Sequence, residues 1–182
     1  MALRMRTHTE YVFQNIEELQ RVVGKAITYE TTKRSRISNF LWAAVCLVTT
    51  AFLLLLQTGH WVIALIFGLL GLFFLVRGIF FYQFVALGVR ISMDKSVTGS
   101  DFLLEKSYML VTNNKGSSQY PYNLCHRLLE TEKNLYFIMK NGQGLILDKA
   151  NLKGGSVEEL RTWMEEKCGK KSEWMGKNPR NT

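Results

Sequence analysis

Between Arg36 and Arg77 the chain carries no Asp, Glu, Lys or Arg. A run that long without charge excludes an ordinary water-facing surface there, and it leaves no polar pathway for ions within one copy. Chemistry-bearing residues are just as sparse. The three cysteines, Cys46, Cys125 and Cys168, show no zinc or redox spacing and no even count for a disulfide framework, so they read as free thiols. His8, His60 and His126 lie in three separate regions, which argues against a metal cluster or a triad. No glycine-rich phosphate loop occurs. Cofactor, metal and catalytic residues are therefore all expected to be absent, and a non-enzymatic role is expected.

The uncharged stretch itself is the dominant feature. Residues 37–56 read ISNFLWAAVCLVTTAFLLLL, and after Gln57, Thr58, Gly59 and His60 the run resumes as WVIALIFGLLGLFFLV up to Arg77. At ~1.5 Å per residue, about 20 residues give ~30 Å, the thickness of a bilayer's hydrocarbon core. Residues 37–87 thus read as a transmembrane hairpin with spans near 37–56 and 61–80. The first run is too long and too far from the start for a cleaved signal peptide. Ala64 and Gly68 form a small-xxx-small pair, with Gly71 a turn later, permitting close approach to the first span or to a second copy of the chain.

The formal charge of the 182 residues is +8, of which +3 falls in residues 1–36 and +5 at or beyond Arg77. The loop between the spans has no Lys or Arg, whereas both flanks have several. This bias places both termini in the cytoplasm of a two-span cell-membrane protein and accounts for the basic residues without nucleic acid. Lys33, Arg34 and Arg36 mark the membrane interface at one flank and Arg77 at the other, where its head can snorkel; Trp61 anchors the outer end. Lys33, Arg34 and Arg36 also suit anionic head groups, although a topology determinant is the simpler reading.

Residues 5–13 suggest a short extended segment. Asn15 and Glu18 are spaced as a capping pair for a helix from Ile16, whose stripe of Ile16, Leu19, Val23 and Ala26 must cover either the membrane surface or the soluble domain. The aromatic cluster of Phe80, Phe81, Tyr82 and Phe84 suggests a bend along the interface. Beyond Gly88 the period changes. Strands are expected over 102–105, 108–112, 118–122, 125–132, 135–140 and 145–148, with turns at 113–116 and around Asn141-Gly142. Pro121 restricts its strand to an edge or an end. Ser156 and Glu159 form a capping box for a final helix that Gly169 stops. Residues 170–182 read as a mobile tail, with Trp174 and Met175 as candidate membrane contacts.

Order and spacing in this region carry a resemblance. Lys115-Gly116-Ser117-Ser118-Gln119-Tyr120-Pro121-Tyr122, then Leu129-Glu130-Thr131 leading into Leu135-Tyr136-Phe137-Ile138, then Leu145-Ile146-Leu147-Asp148-Lys149 resemble the YcxB-like proteins of bacteria. His126-Arg127 and Asn151-Leu152 depart from that family's pattern. The resemblance implies a bacterial inner-membrane protein and a pleckstrin-homology-like domain over 92–169, a bent antiparallel sheet closed by a C-terminal helix. It assigns no reaction. The expected whole is an α+β membrane protein: a strand-helix segment over 1–36, the hairpin over 37–87, the β domain and the tail.

Lys149, Lys153, Gly154 and Gly155, at the entry to the last helix, form the candidate ligand site, since free amides there would hold an anion. The expected function is a membrane-tethered scaffold or regulator binding a protein, a peptide or an anionic lipid, with the bilayer as its first partner and homo-oligomers through Ala64 and Gly68 as a further expectation. The competing reading is a component of a membrane enzyme or transport assembly.

Overall fold

A computed structural model describes residues 5–56 and 59–176. Gln57 and Thr58 of the expected loop, and residues 177–182 of the expected tail, lie outside them. The chain divides into two compact units, Met1–Val22 with Arg90–Thr182, and Val23–Val89.

The second unit holds the hairpin. Helix α2 (Tyr29–Leu55) and helix α3 (Trp61–Ile79) pack against each other, and α4 (Phe81–Ser92) follows after a break at Phe80. Both α2 and α3 are long and apolar enough to cross a membrane. Only 17% of the most apolar window in each is buried, the reverse of a core helix. Leu41, Trp42, Val48, Phe52, Trp61, Leu65 and Leu69 all face outward, a surface that fits hydrocarbon far better than water. The helices meet through small side chains. Ala64 is only 2% exposed, and a Cβ added at Gly71 would stand 2.9 Å from Leu47 Cγ. Thr50 satisfies its hydroxyl by donating to the Cys46 carbonyl at 2.9 Å and sits 3.6 Å from where a Gly68 Cβ would be. Of the two destinations open to the small face of Ala64 and Gly68, the first span is the one in contact with it here.

The first unit is built from both ends of the chain. Strand β1 (Arg6–Glu10) pairs with β2 (Gly99–Leu104), followed antiparallel by β3 (Tyr108–Asn113) and β4 (Gly116–Pro121). After a 3-10 turn at Tyr122–Leu124, β5 (Cys125–Glu130), β6 (Asn134–Met139) and β7 (Gly144–Asp148) form a second sheet. Helix α5 (Val157–Cys168) closes the core between the sheets, burying Leu160 and Met164 with Met5, Phe102, Met109, Leu128, Leu135 and Phe137. Its capping box is formed as expected, and Gly169 ends it at φ 60°.

Three expectations need correction. Residues 1–36 are not a segment of their own, because β1 is a full member of the first sheet and α1 (Phe13–Ala26) lies on the second. Every residue of β6 is buried. Its Leu135, Phe137 and Met139 face the core, and on the other side a Cβ at Gly144 would meet both Ile138 and Leu19 of α1 at 3.0 Å. The helix also starts three residues before Ile16, and Asn15 donates to the Glu10 carbonyl at 2.8 Å instead of capping it. Finally, the supposed tail contains β8 (Ser172–Trp174), which adds to β5 in parallel.

The sheets are joined at their edges by threonines of β1. Buried Thr9 donates to the Ile146 carbonyl at 2.7 Å, and Thr7 does the same to Asp148. Two hydroxyls thus take up β7 carbonyls that no strand reaches.

Candidate ligand groove and buried ion network

The four residues expected to form an anion site do not converge. Two amides at the entry to α5 are already taken within the capping box: Ser156 N donates to the Glu159 carboxylate Oε2 at 2.6 Å, and Glu159 N donates to Ser156 Oγ at 3.1 Å. Gly155 is packed on Met5, whose Sδ would be 2.9 Å from an added Cβ. Gly154 takes φ 85° in the loop. Lys149 turns inward and is only 10% exposed.

Lys149 belongs to a buried network centred on Glu130, the last residue of β5, whose side chain is fully buried. Arg161 of α5 grips both carboxylate oxygens, Nε on Oε2 and Nη2 on Oε1, each at 2.9 Å. Lys149 Nζ donates to Oε1 at 2.6 Å and to the Thr131 carbonyl at 2.6 Å. Burial pushes the Glu130 carboxyl up, but Arg161 and Lys149 outweigh it and hold the group below its ordinary value. The same cluster fastens β8. Ser172 Oγ lies 3.4 Å from Glu130 Oε2, Met175 N donates to the Glu130 carbonyl at 2.7 Å, and Lys149 Nζ sits 5.4 Å from the Trp174 ring centre. The exposed pair Arg127 and Glu173 adds a contact at 2.9 Å.

Lys153 goes elsewhere. Its backbone exchanges two hydrogen bonds with Arg6, at 2.9 and 2.8 Å, which brings the two cations together at one end of a groove of about 530 Å³. The strand register explains the groove's remaining lining. Arg6 is opposite Leu103 and Leu103 opposite Leu110, while His8 is opposite Asp101 and Asp101 opposite Thr112. These side chains share the sheet face turned away from the core, by the period of two. Asn151 joins from the loop after β7, donating to the His8 carbonyl at 3.1 Å. His8 Nδ1 lies 2.8 Å from Asp101 Oδ1. The groove thus has an apolar floor, two basic groups at one end and a histidine-carboxylate pair at the other. Sequence reasoning named only Lys153 of these. The period-two pattern of Arg6 and His8 was a readable signal, but nothing local tied that strand to residue 101.

Cys125 and Cys168 also come together, unannounced by their spacing. Contact between the thiols holds Cys125 below its ordinary value and pushes Cys168 up; both are free. Among the described residues no three His, Cys, Asp or Glu side chains gather to hold a metal ion.

Of the residues expected at the interface, Lys33, Arg34 and Arg36 sit in the first turns of α2, which is helical from Tyr29, so the basic cluster is part of the same helix as the apolar run rather than a break before it. Arg77 lies in the last turn of α3, beside Gly78, which packs on Phe40. Trp61 starts α3 at the opposite end and is 70% exposed.

Residues 104–164 match the model of the YcxB-like protein family, a stretch from the end of β2 into α5 that contains the quoted motifs. Comparison with curated proteins and with solved structures found no match.

Proposed function

We propose that the YcxB-like stretch is the larger part of a pleckstrin-homology-like domain, tethered by a two-span hairpin to the cytoplasmic face of a membrane, and that the domain is a non-enzymatic binding module. Four antiparallel strands, a second sheet beginning with three more and a closing C-terminal helix support the fold reading. The excess of Lys and Arg on both flanks of the hairpin, against none between the spans, supports cytoplasmic termini.

The groove of Arg6, His8, Asp101, Leu103, Leu110 and Lys153 carries the functional reading. Its Leu103 and Leu110 floor suits apolar side chains, and Arg6 with Lys153 suits a carboxylate. Asp101 at the far end disfavours a polyanion. The ligand that satisfies all three is a peptide segment with an acidic residue next to apolar ones, presented by another protein.

Fluorescence anisotropy of a labelled peptide alternating Glu and Leu, titrated with the full chain in detergent, tests this. Saturable binding that weakens about tenfold in Arg6→Gln and in Lys153→Gln is expected, since each removes a charge-assisted contact of ~1.5–3 kcal/mol. Absence of binding by the unmodified chain, or an affinity unchanged from it in both variants, would overturn the assignment.

A further inference from the structure

Where the uncharged stretch begins, α2 and α4 enclose a second cavity, of about 270 Å³. Lys33, Arg36, Ile37 and Phe40 line it from one face of α2, at helical spacings of 3, 1 and 3, and Tyr82 lines it from α4. On the α3 side, a Cβ at Gly78 would come within 3.0 Å of the Phe40 ring. The cavity is two-sided in character: cations and the hydroxyls of Thr32 and Tyr82 above, exposed Ile37 and Phe40 below.

Arg36 Nε is buried and has no hydrogen-bond partner among the described residues. A guanidinium N–H in that condition is costly unless an acceptor completes it. Its planar fork matches phosphate oxygens, and Lys33 adds a second positive charge beside it. Arg36 is also the last charged residue before Arg77, which sets this fork at the depth where phospholipid phosphates lie.

We propose that the cavity binds the phosphate of an anionic phospholipid, with Arg36 and Lys33 on the phosphate oxygens and the first acyl carbons along Ile37 and Phe40. This rests on the hairpin spanning a bilayer. Volume agrees with a head group and its glycerol: the space is about nine times the ~30 Å³ share of one water molecule. The apolar wall favours a lipid over free phosphate, and basic pockets between membrane helices on the cytoplasmic side take such head groups. Arg34 is off the lining face and supplies an internal control.

Native mass spectrometry of the full chain in detergent, with equal amounts of phosphatidylglycerol and phosphatidylcholine, tests the site. The expected result is one retained phosphatidylglycerol per chain, preferred about tenfold. Arg36→Gln should lower retention at least fivefold, Arg36→Lys should restore part of it, and Arg34→Gln should leave it unchanged. Lys33→Gln serves if Arg36→Gln loses its helical circular dichroism. Equal losses in the Arg34 and Arg36 variants would mean diffuse surface attraction and overturn the site. Displacement by glycerol phosphate would overturn the lipid assignment in favour of a soluble phosphate. Carbonate washing of vesicles separates the premises: a chain that washes off sinks the membrane reading and the site with it, while a chain that stays and shows no lipid preference sinks the site alone.

Discussion

Glu130→Gln is the sharpest test of how the first unit is held together. The substitution keeps the side chain's shape and removes the one charge shared by Lys149 and Arg161, which are only 10% and 18% exposed. Removing one partner of a buried pair costs ~3–5 kcal/mol, because the remaining charge stays desolvated. Here the amide oxygen still accepts one bond and Lys149 keeps the Thr131 carbonyl, so the lower end, about 3 kcal/mol, is expected. For a unit of this size that is roughly a 10 °C fall in Tm. Thermal unfolding of the full chain in detergent, followed by tryptophan fluorescence from Trp163 and Trp174, reads it. The pH dependence supplies a second check. The carboxyl sits below its ordinary 4.5 in the folded chain, so its contribution is complete above that value and is lost as pH falls through the folded pKa. The gap between the unmodified chain and the variant should therefore narrow in acid. A loss under about 1 kcal/mol near neutral pH, or a gap that stays constant as acid is added, would refute the network's role.

Ending the chain after Gly169 removes β8 together with its contacts to Glu130, and Tm should fall by several degrees; a true mobile tail would leave it unchanged. Thr9→Val strips the buried Ile146 carbonyl of its donor, at about 1–3 kcal/mol, and hydrogen exchange should rise in β1 and β7 before it rises in β3. Gly71→Leu forces a side chain into Leu47 and Cys46 and should separate the hairpin helices, seen as a loss of crosslinking between cysteines placed at positions 50 and 68, which face each other across the same contact; retained crosslinking would count against the close packing.

Some of this was written in local chemistry. The apolar runs of α2 and α3 announce themselves because the lack of charge is a property of neighbouring residues. The capping box of Ser156 and Glu159, the Gly169 stop and the Asn141-Gly142 hairpin each depend on residues three or four apart. Strand order from β2 to β7 followed from turn residues and alternation, and Pro121 does end the edge strand β4.

What the sequence determined by itself was the kind of each element, because helix caps, turns and long apolar helices are settled by near neighbours. Which distant residues meet was decided only by the tertiary structure. Glu130 finds Lys149 across two connections and Arg161 across three, Arg6 finds Lys153 across nearly the whole chain, and the insertion of the hairpin between β1 and β2 makes one domain of two distant segments. Lys149 shows the cost of reading locally: beside Lys153 in sequence it suggested an anion site, but the pairing of β6 with β7 carries it to a buried carboxylate instead. Long-range pairing depends on burial and register shared between strands, and no window of neighbouring residues contains that information.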